Sequence, residues 1–196
     1  MKSKTILISL VSGAMALSAL SAPAADAPKA APKVLIAFYS YSGNTRAAAG
    51  QIQKAVGGEL YEIKPQKPYP SSHSACVTQA KKEINAGFTP PLTDNKDLSG
   101  YDVIFLGSPN WWGTMAPPVH TFIKDQNLSG KVIIPFFTHG GGGMQQCETD
   151  MRKYCEAAEA GRILKAAAYP GSMTKNDLPE LAKWAKDSLK EARKKK

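Results

Sequence analysis

The stretch from Lys33 to Arg46, KVLIAFYSYSGNTR, decides how the chain is read. Lys33 to Tyr39 is a short apolar run ending in a Ser/Gly cluster, the pattern of a strand buried on both faces. Asn44 to Val56 then carries Ala47, Ala48, Ile52 and Val56 at helical spacing, and Gly57-Gly58 stops it. A strand that turns through Gly, Ser and Thr into a helix offers free backbone N–H groups and the positive end of the helix dipole. That arrangement accepts a phosphate. Ser40, Ser42, Asn44 and Thr45 add short donors around Gly43, and Arg46 stands in the first helical turn. A cation there is ordinarily unfavourable by ~0.3–1 kcal/mol, and a bound dianion would reverse that sign. The turn lacks the lysine of G-x-x-x-x-G-K-[ST] and is not G-x-G-x-x-G. The plainer reading is a helix start capped by Ser42 or Asn44.

Outward from this unit the pattern alternates. Glu59 to Ile63 reads as a second strand, Lys64 to Ser72 as a Pro-rich loop, and Ser74 to Ala86 as helix-compatible. Gly87 to Gly100 is a second long connection. Strands follow at Tyr101 to Gly107, Lys131 to Phe137 and Arg162 to Tyr169, with Pro135 marking a bulge or local irregularity. Pro117 to Asp125, Met144 to Ala158 and Leu178 to Lys195 read as helices. Five strands interleaved with helices predict an α/β domain: a three-layer, doubly wound parallel sheet of order 2-1-3-4-5.

Two further turns support that order. The third strand ends in Ser108-Pro109-Asn110-Trp111-Trp112-Gly113-Thr114, and the fourth in Thr138-His139-Gly140-Gly141-Gly142-Gly143. Adjacent indoles in a Pro/Gly loop could wall a flat aromatic ligand, or could pack into the core. Four glycines could lie against a ligand, or could form a mobile linker. In order 2-1-3-4-5 the first, third and fourth strands are neighbours about 4.8 Å apart. Their turns then emerge together at the carboxyl edge, at the topological switch point where ligands bind. A phosphate nest, aromatic walls and bare backbone together fit a flat heteroaromatic ring carrying one phosphate. Flavin mononucleotide (FMN) has that form.

In these residues the chain resembles the flavodoxin family, across essentially all of its length after the N-terminal segment. The matching segments are Lys33 to Arg46, Tyr101 to Gly113 (YDVIFLGSPNWWG) and Gly130 to Gly143 (GKVIIPFFTHGGGG). The resemblance is closest to a subgroup with S-x-S-G-N-T and P-x-W-W-G turns. It implies that the FMN phosphate sits on Ser40, Ser42, Gly43, Asn44 and Thr45. Pro109, Asn110, Trp111, Trp112 and Gly113 would line the isoalloxazine. Thr138, His139, Gly140 and Gly141 would meet its polar edge and ribityl chain. FMN would supply the electron chemistry, with no catalytic side chain required.

Composition narrows the alternatives. The 196 residues favour one domain, and 43% apolar residues are too many for a disordered chain. The net charge of +9 permits acidic partners without indicating nucleic acid. Lys2, Lys4, the apolar Ile6–Leu20 stretch and Ala22-Pro23-Ala24 form a signal-peptide pattern, with cleavage expected after Ala24, or else after Ala27. Residues 25–32 then read as a flexible leader and 33–196 as the domain. The protein is expected to be exported, to the periplasm or beyond, and not inserted in a membrane after cleavage. Its charge falls to +7 once Lys2 and Lys4 are removed. No metal site is expected from three histidines lacking ligand spacing. Cys147 and Cys155, roughly 12 Å apart by helical rise, cannot pair with each other; Cys76 could pair with either one, and buried thiols are the simplest reading for all three. Ser42 has neither the G-x-S-x-G setting nor a triad of a hydrolase.

Three functions follow from this reading. The first is an exported FMN protein passing electrons to a redox partner protein or a small acceptor such as a quinone. The second is an FMN-dependent NAD(P)H:quinone or azo reductase. The third is a non-redox binding module for a phosphorylated planar ligand. Electron-carrier flavodoxins are acidic around their flavin, whereas these three turns contain no Asp or Glu and do contain Arg46 and His139. Nearby carboxylates oppose added negative charge on the ring, and cations or donors favour it. Redox titration of the FMN-loaded protein is therefore expected to give a second reduction potential less negative than that of acidic carriers. A value as low as theirs would contradict this.

Overall fold

The computed structural model describes residues 31–194. The expected signal peptide, and residues 25–30 of the leader, lie outside the described residues. The elements are β1 (Val34–Phe38), α1 (Asn44–Val56), β2 (Glu59–Glu62), α2 (His73–Asn85), β3 (Val103–Trp111) and β4 (Thr114–Met115). They continue with α3 (Pro117–Asp125), β5 (Val132–His139), α4 (Cys147–Ala157), β6 (Arg162–Ile163), β7 (Ala167–Pro170) and α5 (Pro179–Ala192). The sheet runs β2-β1-β3-β5-β6, with β7 also on β5 and β4 on β3. All pairings are parallel except the β3–β4 hairpin.

Alternation along β1 divides the core. Leu35, Ala37 and Tyr39 join the packing of Val119, Phe122, Ile123, Met151 and Cys155 from α3 and α4. Val34, Ile36 and Phe38 meet Ala48, Ala49 and Ile52 of α1 and Leu181, Ala185 and Leu189 of α5. Every residue of β1 is buried, as a strand covered on both faces requires. The three-layer, doubly wound arrangement is the expected one.

The strand count differs: among the described residues seven strands form the sheet, where five were expected. One extra strand is β4, a short arm folded back on the end of β3. The other arises because the expected strand at Arg162–Tyr169 is broken into β6 and β7. Ile133 O accepts from Leu164 N at 2.9 Å, so Ile133 faces the outer strand. Pro135, two residues on, faces the same way and has no N–H to give. β6 pairs only with Val132 and Ile133, and β7 only with Phe136 to His139, leaving a gap opposite the proline. Side chains of α4 occupy that gap. Arg152 donates to Ile163 O at 3.1 Å, and Glu148 accepts from Ala166 N at 3.1 Å. Pro135 itself stays in register with Leu106, so the irregularity falls on its neighbour rather than as a bulge in β5.

Helix boundaries agree closely for α1, α2 and α3. The expected start of α4 at Met144 moves to Cys147, because Gly143 and Gln145 take positive φ (72° and 48°) and cannot continue a helix. Among the described residues, no helix is long and apolar enough to cross a membrane, and no cluster of three metal-ligating side chains occurs.

All three cysteines are free and buried. Burial pushes the Cys147 and Cys155 thiols up to about 12, with Asp150 adding to the rise at Cys147. The folded state therefore holds these protons more tightly than the unfolded chain, whose thiols titrate near ~8.5. The stability so gained is complete below that value and is lost as pH climbs from it towards 12. Denaturant titrations across this window are expected to show falling stability, and Cys→Ser at 147 and 155 together to flatten the fall.

Candidate functional site

Parallel pairing of β1, β3 and β5 places their C-terminal ends side by side. After β1, Tyr39 N donates to Gly107 O at 3.1 Å, and the chain turns through Gly43 at φ 87° into α1. No side chain caps this helix, contrary to the plainer sequence reading, so its first-turn N–H groups meet no side-chain acceptor. Thr45 is buried and shares a 2.8 Å hydrogen bond between its Oγ1 and that of Thr138, tying the first turn to the end of β5. Asn44 lies against Gly171, where any Cβ would collide with its amide, and Asn44 O accepts from Thr174 Oγ1 at 3.0 Å. Ser40 is buried, and its hydroxyl has no hydrogen-bond partner among the described residues.

Arg46 does not enter this arrangement. Its Nε donates to Glu62 Oε2 at 3.0 Å and its Nη2 also contacts Glu62, which holds the guanidinium pKa above its ordinary value. The first-turn cation, expected to face a bound phosphate, is thus ion-paired with the end of β2.

The Ser108–Thr114 segment, read from sequence as a loop, is largely strand. β3 runs to Trp111, and Asn110 and Trp111 pair with Met115 and Thr114. Trp112 (φ 56°) and Gly113 (φ 90°) make the tight turn, as hairpins with two positive-φ residues require. Asn110 Oδ1 accepts from Gly113 N at 2.9 Å, while its Nδ2 donates to Gly143 O at 2.8 Å and Gln145 Oε1 at 2.9 Å. The glycine-rich turn is thereby fastened to the hairpin. His139 Nδ1 accepts from Gly141 N at 3.1 Å, which in the neutral ring leaves the proton on Nε2.

The two tryptophans divide the sequence alternatives between them. Trp111 packs edge-on to Tyr39, Tyr41 and Tyr69 with centroids 5.5, 6.0 and 4.9 Å away. Trp112 is exposed. Its Nε1–H donates to Val77 O at 3.1 Å, and Lys81 Nζ lies 4.5 Å above its ring.

These turns enclose a cavity of about 440 Å³, within the range for small-ligand sites. Ser42, Asn44 and Thr45 line it from the first turn, Pro109, Asn110, Trp111 and Trp112 from the second, and Thr138, His139 and Gly140 from the third. Gly43, Gly113 and Gly141 shape the turns without lining this cavity, and Ser40 borders a neighbouring crevice beyond Tyr41. The sequence reading missed one wall, formed by Tyr41 and by His73, Cys76, Val77 and Ala80 of α2. Their spacing along α2 is that of one helical face, a signal available in the sequence. Tyr41 fixes this side by donating to Pro70 O at 2.7 Å and Ser71 O at 3.1 Å. Burial raises the Tyr41 and Cys76 pKa values, so both stay protonated and uncharged. The lining contains no Asp or Glu.

A family model for flavodoxin matches residues 33–187. The chain belongs to the flavodoxin family. This flavodoxin is similar to a provisionally assigned flavoprotein from Bacteroides eggerthii, at 29% identity and TM-score 0.68, covering 84% of this chain and 99% of that one. It is also similar to a flavoprotein from Lactobacillus acidophilus solved in complex with FMN, at 26% identity and TM-score 0.63, covering 70% and 93%. A WrbA-like flavodoxin from Agrobacterium tumefaciens shares the fold at 13% identity and TM-score 0.59, covering 83% and 98%.

The Thr45–Thr138 bond makes the site a measurable unit. Thr138→Val strands a buried hydroxyl on Thr45 and is expected to cost about 1–3 kcal/mol in urea unfolding. The double Thr45→Val, Thr138→Val protein is expected to lose less than the sum of the single losses.

Proposed function

We propose that this flavodoxin binds FMN in the cavity and passes electrons through it, outside the cytoplasm, to a redox partner protein or a small acceptor such as a quinone. The observation that carries the reading is the start of α1, which no side chain caps and where Ser42, Asn44 and Thr45 line the cavity, with the buried, unpartnered Ser40 hydroxyl just before it in the chain. A buried hydroxyl without a partner costs about 1–3 kcal/mol, and a phosphate oxygen would satisfy it. The residues present fit the group. Ser40, Ser42, Asn44 and Thr45 would hold the phosphate with the first-turn amides, around the close approach that Gly43 allows.

Trp111 and Trp112 would bound the ring, with Pro109, Asn110 and Gly113 setting the hairpin that carries them. Thr138, His139, Gly140 and Gly141 would face its polar edge, where His139 Nε2–H is a donor. FMN would supply the redox chemistry; the protein's part is to orient it, exclude water and set the charge around it. The lining offers donors and no carboxylate, which favours negative charge on the ring. Export is supported by the charged, apolar and small-residue pattern of the first 24 residues.

Absorbance titration tests the reading. The purified protein is expected to take up FMN and turn yellow. Ser40→Ala is expected to weaken FMN binding about ten- to hundredfold, the worth of a hydrogen bond to a charged group. Riboflavin, which lacks the phosphate, is expected to bind both proteins alike. Equal FMN affinity for the two proteins would overturn the assignment.

A further inference from the structure

We propose that the mouth of this cavity is a docking face for an acidic protein surface, centred on Lys81, Lys82 and the Trp112 indole. The inference deepens the electron-carrier reading and rests on it. The segments Tyr39 to Thr45, Ser71 to Lys82, Pro109 to Met115 and Thr138 to Cys147 contain no Asp or Glu, although the chain has 16 such residues. The carboxylates next to these segments are already engaged within the protein. Glu62 holds Arg46, Glu83 accepts from Gln79 at 2.8 Å, Glu148 accepts from Arg152 and Asp150 accepts from Thr114 Oγ1 at 2.5 Å. Lys81 and Lys82 are exposed, and neither forms an ion pair among the described residues.

Trp112 adds the apolar element. At 54% relative exposure it is the most exposed large apolar side chain of the described residues, and it borders both the cavity and the shallow surface beside Lys81, Lys82 and Asn85. An exposed indole beside two lysines that form no ion pair among the described residues is the composition of a protein–protein contact with an aromatic centre. The Lys81 ammonium lies 4.5 Å over one face of that ring, so the indole and the positive charge form one patch. A carboxylate-bearing protein surface uses the arrangement as it stands. Its acids meet both ammonium groups while one of its apolar side chains covers the indole. Because like charges suppress encounter, basic partners are turned away at the same face.

The test is titration of the isotope-labelled protein with poly-L-glutamate, followed by amide chemical shifts at low salt and again near ~0.15 M, where screening acts within ~8 Å. Shifts are expected to concentrate on Val77 to Lys82 and Trp111 to Thr114 and to shrink with salt. Lys82→Glu and the double Lys81→Glu, Lys82→Glu are expected to weaken binding about tenfold or more, while Lys186→Glu with Lys190→Glu on α5 leaves it unchanged. The proposal is overturned if the shifts map to the lysines of α5, if Lys82→Glu binds as the parent does, or if NADH moves the same amides and displaces the polymer. FMN added to the same samples reports separately through Ser42 to Thr45. Failure there with poly-L-glutamate binding intact removes the flavin reading and leaves the acidic docking face standing.

Discussion

A parallel sheet with helices on both faces has no free face for a ligand, so chemistry is confined to the ends of its strands. In this flavodoxin that constraint acts through β3, held between β1 and β5 along most of its length. The register of those two ladders fixes how far each turn projects, and therefore where Ser42, Trp111 and His139 stand relative to one another. The Thr45–Thr138 hydrogen bond and the contacts of Asn110 then lock the three turns together after the ladders have ended. The cavity is a consequence of strand register, finished by a few polar bonds.

The layout of the fold was legible because hydrophobic runs and glycine stops are local signals. Lys33 to Tyr39 and Asn44 to Val56 needed no knowledge of the rest of the chain. The break between β6 and β7 was not legible, because its cause lies on another strand and on a helix. Pro135 withholds a donor, and Arg152 and Glu148 supply replacements. The proline itself could be seen, but the strand it interrupts could not be named without the pairing.

The same division holds at the site. Glycine, serine and threonine in a strand-to-helix turn pointed to an anion, and the structure leaves that helix uncapped and the Ser40 hydroxyl unpaired. Arg46 was placed in the correct helical turn, yet its partner, Glu62, lies 16 residues away on β2, a separation that pattern reading does not bridge. The wall from α2 was missed for a related reason. His73, Cys76, Val77 and Ala80 share a face, but only tertiary packing shows which element that face meets.

The hairpin turn after Trp111 also bears on the stability of the molecule. A bulky residue at positive φ costs of the order of 1–3 kcal/mol, and asparagine or glycine at Trp112 would relieve it. Domains of this size have only ~5–15 kcal/mol of net stability, so the concession is a sizeable share of the whole. The strain therefore sits on a residue that borders both the cavity and the shallow surface beside Lys81, so folding stability is spent where the molecule meets its surroundings.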